Sequence, residues 1–238
     1  MTPEVSIIVP AFNEAELIGK TLLSLKSAAL QSNTSVELIV VDNDSTDETA
    51  AIARKHGAKV VFEPHRQIAR ARNTGASAAM GRYLIFVDAD TTISSELFSK
   101  AVNELRRGRT IGGGALVSFD VRPVGLARFL LRVWLLISKC LRLAAGCFIF
   151  CEAAAFMEAG GFDNRVYASE ELWLSKNLKI IGRKCGKKFV ILDGPGVITS
   201  ARKNSQTLRL LATTLIFSIF PAGVRFRSLC FLWYDCRK

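Results

Sequence analysis

The first 120 residues alternate short apolar runs, rich in β-branched side chains, with longer stretches whose apolar positions fall three or four apart. Runs at 5–10, 36–42, 58–62 and 83–87 read as strands. A helix is expected to open at Asn13, an N-cap with Glu16 as its partner, and to run to about Leu30, with Leu17, Ile18, Leu22 and Leu25 as its buried stripe. The capping box Ser45-Thr46-Asp47-Glu48 opens a second helix that stops at Gly57, and a third spans 67–80. Strand–helix units of this length predict a parallel sheet with right-handed crossovers.

The pattern then changes. Ser94 or Ser95 caps a helix to about Arg107, and Gly112-Gly113-Gly114 leads into a strand over 115–119; close backbone approach and a plain loop explain these glycines equally well. A strand at 146–151, a short helix at 152–159 and a turn at 160–163 follow. A helix capped by Ser169 comes next, then strands at 189–192 and 197–200 separated by the turn Asp193-Gly194-Pro195-Gly196. Residues 124–143 are apolar but carry Arg128, Arg132, Lys139 and Arg142 near helical spacing. They read as a basic amphipathic helix, either buried with snorkelling arginines or facing lipid. Their charges, and Pro221 within the uncharged stretch 210–224, leave neither segment suited to spanning a bilayer.

The polar groups sit at strand ends. Tyr83-Leu84-Ile85-Phe86-Val87 stops abruptly at Asp88-Ala89-Asp90, and the second strand stops at Asp42. In open α/β sheets, ligands bind outside the carboxyl ends of the strands. An Asp-x-Asp is compact enough to hold Mg²⁺ or Mn²⁺, because such ions take one or two carboxylates and complete their shell with water and phosphate oxygens. No Gly-x-Gly-x-x-Gly turn follows the first strand, which argues against a dinucleotide site and a P-loop.

Charge sharpens this reading. The net charge is +11, but residues 1–120 balance at −1 and residues 121–238 at +12, so the second half favours an anionic partner. It contains no recognised nucleic-acid module, and no nucleic-acid partner is expected. Six cysteines without a Cys-x-x-Cys pair, and only two histidines, make a structural zinc site a poor fit. The start Met1-Thr2-Pro3-Glu4 lacks signal-peptide character, so reduced thiols and a cytoplasmic setting, at the inner face of a membrane if peripheral, are expected.

Four segments in order now resemble the motifs of the family 2 glycosyltransferases: Ser6-Ile7-Ile8-Val9-Pro10-Ala11-Phe12-Asn13-Glu14, Val41-Asp42-Asn43-Asp44-Ser45-Thr46-Asp47, Ala71-Arg72-Asn73-Thr74-Gly75 and Asp88-Ala89-Asp90. The resemblance implies the GT-A fold, a Rossmann-like nucleotide-binding α/β architecture with a mostly parallel central sheet flanked by helices. It also implies a nucleotide-diphosphate sugar donor, a divalent metal and transfer with inversion. On the matching positions, Pro10, Asn13, Glu14 and Asp42 would hold base and ribose, Arg72 and Asp88 would also serve the nucleotide, and Asp90, helped by Asp88, would form the metal site. The division expected is a nucleotide-sugar half at 1–120, an acceptor half of the same domain at 121–205, and an apolar, basic tail at 206–238, a candidate for membrane contact.

Glu171, Leu174, Leu178 and Ile181 share one helical face, which predicts an inward Glu171 and a Glu170 turned away. An inward carboxylate at a helix start could take the proton of an acceptor hydroxyl. The family usually has Glu-Asp here, so Glu170-Glu171 is a departure; both could instead only complement the helix dipole. Arg202 and Lys203 could stabilise a leaving diphosphate, and the Gln-x-x-Arg-Trp motif of processive relatives is absent. The expected activity is hexosyl-type transfer from a nucleotide-diphosphate sugar to a hydroxyl acceptor, a lipid-linked one among the options. The alternative is a binding protein that kept the pocket without the chemistry.

Overall fold

The computed structural model describes residues 2–119 and 144–199, with Gly125, Arg128, Phe129, Leu136, Lys139, Arg142, Arg225 and Cys230. The elements are β1 (Val5–Ala11), α1 (Ile18–Gln31), β2 (Val36–Asp42), α2 (Thr49–Lys55), β3 (Lys59–Phe62), α3 (Ile68–Ser77), β4 (Tyr83–Val87), β5 (Thr91–Thr92), α4 (Ser95–Arg106), β6 (Thr110–Phe119), β7 (Phe148–Glu152), α5 (Ala153–Glu158), α6 (Glu170–Lys184) and β8 (Lys188–Thr199). The tail 206–238 and the amphipathic stretch 124–143 lie outside the described residues, apart from the single positions named above.

The strands form one mixed sheet in the order β3-β2-β1-β4-β7-β6-β8-β5. The first four strands are mutually parallel, as are β6 and β8, whereas β7 runs antiparallel to β4 and β6, and β5 antiparallel to β8. Alternation along the strands builds two cores. Ile7 and Val9 pack with Ile18, Leu22, Leu25, Ala53 and Phe98, so α1, α2 and α4 cover one face. Ile8, Val41 and Phe86 pack with Ala69, Phe156, Phe162, Leu174 and Leu178, so α3, α5 and α6 cover the other. With both faces covered, the first strands read as continuous apolar runs.

Several local expectations give way to tertiary contacts. Asn13 is not an N-cap: it has φ 50°, α1 begins only at Ile18, and its side-chain oxygen accepts a 2.9 Å hydrogen bond from the Thr46 amide. The second helix starts at Thr49, where the Asp47 carboxylate accepts from the Thr49 amide at 2.9 Å in place of a Ser45 cap. Ser169 also caps nothing, being left-handed at φ 62°. Ser94 does cap α4, accepting from the Leu97 amide at 3.1 Å. Pro10 lies inside β1, but beyond Ile8, the last residue paired with β4, so its missing N–H costs the ladder little.

The three glycines belong to β6 itself. A Cβ on Gly113 would stand 2.2 Å from the Val190 carbonyl oxygen, and one on Gly114 would stand 2.6 Å from the Ala144 Cβ. The two strands expected at the end of the described chain are one, β8. Ala115 pairs with Leu192 and Val117 with Val197, so the extra residues of the expected turn bulge out while both flanks stay on β6. The excursion lets Thr199 meet the two-residue strand β5, which is too short to show in the sequence.

Candidate active site

Parallel pairing brings Asp42 and the Asp88-Ala89-Asp90 turn to the same carboxyl edge of the sheet, on either side of β1. The turn is pinned from three directions. The Asp88 amide donates to the Cys147 carbonyl at 3.3 Å, the Thr91 amide to the Asp88 carbonyl at 3.1 Å, and the Thr21 hydroxyl of α1 to the Ala89 carbonyl at 2.7 Å. Beneath it the rings of Phe86, Phe156 and Phe162 pack with centroids 5.0–5.6 Å apart. The carboxylate of Asp90 accepts from the Thr199 hydroxyl at 3.2 Å, so the far end of β8 closes on the turn.

Arg72 organises the rest. It is fully buried, and its guanidinium donates to Asp88 Oδ1 at 2.9 Å, to the Gly146 carbonyl at 2.7 Å and to Glu170 Oε1. The Phe162 ring lies 5.2 Å from the guanidinium carbon. A side chain at Gly146 would put its first carbon 3.2 Å from Arg72 Nη2 and 3.7 Å from the Glu171 carboxyl carbon. Glycine there leaves room for the guanidinium, and the second distance places Glu171 at the same cluster.

The expectation that Glu170 turns away is therefore overturned: Glu170 is buried on Arg72, and Glu171 beside it is only partly buried. The buried residues of α6 are Glu170, Leu174, Ser175, Leu178 and Gly182. The four-residue series 170–174–178–182 carried the signal, masked because Gly182 does not read as apolar.

One cation thus faces three carboxylates. Burial, and then the neighbouring Glu170, push the Glu171 carboxyl up to about 8. Burial also raises Glu170, against the pull of Arg72. For Arg72 itself, Asp88, Glu170 and Glu171 outweigh burial and hold the guanidinium charged. The buried Cys147 thiol is pushed upward by desolvation and by Asp88 and Asp90, and stays neutral.

The remaining residues stand farther along the edge. Asp42 accepts from the Ser45 amide at 3.1 Å, and Glu14 is buried with its amide on the Thr49 hydroxyl at 2.8 Å. Asn43, which sequence reasoning passed over, is buried and holds the loops together: it donates to the Glu63 and His65 carbonyls and accepts from the Gln67 amide. Asp44 pairs with Arg66 at 2.9 Å, and Arg66 lies 4.5 Å over the Phe12 ring. A cavity of about 530 Å³ opens beside this pair, lined in part by His65, Arg70 and Tyr167. Arg202 and Lys203 lie outside the described residues, three and four positions beyond Thr199.

The model of glycosyl transferase family 2 matches residues 6–150, which takes in β1 from Ser6 on, the Asp-x-Asp turn and the first three residues of β7. The chain belongs to that family. An uncharacterised glycosyltransferase of Mycobacterium tuberculosis is 33% identical over 110 residues, 46% of this chain and 47% of its own length. The 4,4'-diaponeurosporenoate glycosyltransferase of Staphylococcus haemolyticus is 38% identical over 108 residues, 42% of this chain and 28% of its own. The chain spans about half the length of the first of these relatives and less of the second.

Among solved structures, a mannosyltransferase from Pyrobaculum calidifontis in complex with GDP-Man and Mn²⁺ has a TM-score of 0.69 at 20% identity, covering 96% of this chain and 64% of its own. Residues 1–349 of S. aureus TarS in complex with UDP give 0.65 at 21%, covering 90% and 65%. At these identities the likeness is one of fold: both neighbours share the GT-A architecture. Among the described residues, no helix is long and apolar enough to cross a membrane.

Proposed function

We propose that this family 2 chain is a metal-dependent, inverting glycosyltransferase that moves a sugar from a nucleotide-diphosphate sugar to a hydroxyl acceptor. The observation that carries the reading is the meeting of Asp88, Glu170 and Glu171 around buried Arg72, one turn from Asp90. Among the described residues no group of three or more His, Cys, Asp or Glu side chains is placed to hold a metal ion, so a caged metal does not fit. A Mg²⁺ or Mn²⁺ on Asp90 and Asp88 fits well. The donors are hard oxygens, the cluster holds more negative charge than Arg72 offsets, and two carboxylates leave most of the shell to diphosphate and water. Bound there, the ion would neutralise charge on the departing diphosphate.

The chain's own residues supply the rest. Asp42, with the 10–14 segment, holds the base and ribose at the edge of β1 and β2. Arg72 works from beneath, fixing Asp88 and Glu170. Glu171 takes the proton of the acceptor hydroxyl as that oxygen bonds to the anomeric carbon and the bond to the diphosphate oxygen breaks. Arg202 and Lys203 assist departure from the segment after β8. The setting is cytoplasmic, with peripheral contact to a membrane that would present a lipid-linked acceptor.

The test is release of nucleoside diphosphate from UDP- and GDP-sugars with Mn²⁺ or with chelator. Asp90→Ala should lower turnover at least about 100-fold, and a full rate in that variant, or in chelator, refutes the metal role. Tight binding of UDP or GDP without turnover over a broad acceptor panel would favour a binding protein instead.

A further inference from the structure

Helix α6 shows two faces. Inward it gives Leu174 and Leu178 to the core and its two glutamates to the Arg72 cluster. Outward, Trp173, Lys176, Ile180, Arg183 and Lys184 recur at three- and four-residue spacing and line up in one stripe. Trp173 is 41% exposed and Ile180 43%, and Met157 on the adjoining α5 is 67% exposed. From Leu172 to Lys184 the helix carries four cations and no acid. α5 adds one acid, Glu158, and Asp163 in the following turn is neutralised by Arg165 at 2.9 Å. On the flank, burial first, and then the fields of Arg142 and Arg183, hold Lys179 below its ordinary value.

Large apolar side chains spaced among cations, with no acid from Leu172 to Lys184, fit the interface of an anionic bilayer. The indole seats at headgroup depth, and Lys and Arg lay their stems on apolar surface while their charges meet phosphates. We propose that the outer stripe of α6 docks on an anionic lipid surface. The inference rests on the peripheral-membrane reading above and names its surface. A helix lying in that plane keeps the Glu170–Glu171 end of the site about one helix diameter, roughly 10 Å, from the headgroups. That is within reach of a lipid-linked acceptor.

Flotation of the full chain with phosphatidylcholine vesicles, with and without phosphatidylglycerol, tests it. The chain should float with the anionic vesicles at low salt and release at high salt. The charge reversal K176E/R183E/K184E should weaken binding about 100-fold or more. W173A/I180S should also lose most of it, and both variants should keep the melting curve of the parent. In a W134F/W233F chain, emission from Trp173 should shift to the blue and be quenched by brominated lipid. A parent that never floats removes both the surface and the peripheral reading. A parent that floats while the variants bind equally and Trp173 stays unquenched overturns the α6 surface alone. A dimer in solution that W173A/I180S dissociates also overturns it, assigning the stripe to a second copy.

Discussion

Replacing Glu171 by Gln should make the protein more stable at alkaline pH while removing its turnover. The folded carboxyl titrates at about 8 and the unfolded one near 4.5, because burial and Glu170 disfavour the charged form. Between those values the folded state binds more protons than the unfolded state, so Glu171 costs stability as pH rises from about 4.5, and the full cost is reached above about 8. The gap sets a ceiling of about 5 kcal/mol. Partial exposure of the side chain screens it, and about 2 kcal/mol is the working figure. Glutamine keeps the shape and removes the charge, so Glu171→Gln should melt roughly 4–8 °C above the parent at pH 9 and nearly with it at pH 5. Thermal unfolding at both pH values, in chelator without nucleotide, reads this directly. An equal offset at the two pH values, or a variant less stable at pH 9, refutes the claim that Glu171 sits desolvated beside Glu170. The same variant should lose about 100-fold or more in transfer rate, whereas the parent's rate should rise with pH through the titration of this group.

Two further substitutions probe the frame. Arg72→Leu should cost about 3–5 kcal/mol in denaturant unfolding, since Glu170 is left buried without its cation; Arg72→Leu with Glu170→Leu should recover most of it, and additive losses would contradict the pairing. Gly113→Ala should cost about 1–3 kcal/mol, because its Cβ would stand 2.2 Å from the Val190 carbonyl oxygen; an unchanged midpoint would mean that β6 and β8 are not packed this closely.

The first half of the fold was legible because its information is local. The apolar runs of β2 and β4 end where their periodicity ends, at Asp42 and just before Asp88, and the carboxyl edge follows from parallel pairing. Legibility failed where partners lie far apart in sequence. Asn13 reads as a cap until Thr46, 33 residues on, takes its side chain. The β6 glycines read equally as a loop until β7 and β8 close on them. Helical spacing could at best have turned Glu170 inward; it could not name its partner, because that cation sits 98 residues earlier, on α3.

That last separation explains the paired glutamates. A buried ion network is a poor source of stability, since well-packed apolar residues of the same volume usually do as well or better. Arg72 with Asp88 and Glu170 is therefore better understood as a device for placement. It ties α3, the β4 turn, the approach to β7 and the start of α6 to a single guanidinium. Adjacent residues on a helix point about 100° apart, and of the two glutamates only Glu170 bonds the guanidinium directly, while Glu171 acts on it through its field. Glu170 goes under to Arg72, and in doing so fixes the first turn of α6, which carries Glu171 beside Gly146. On this geometry the two glutamates divide the work: one bonds the guanidinium, and the other is held beside it, without a cation bonded directly to it, at the place where the proposed transfer needs a base.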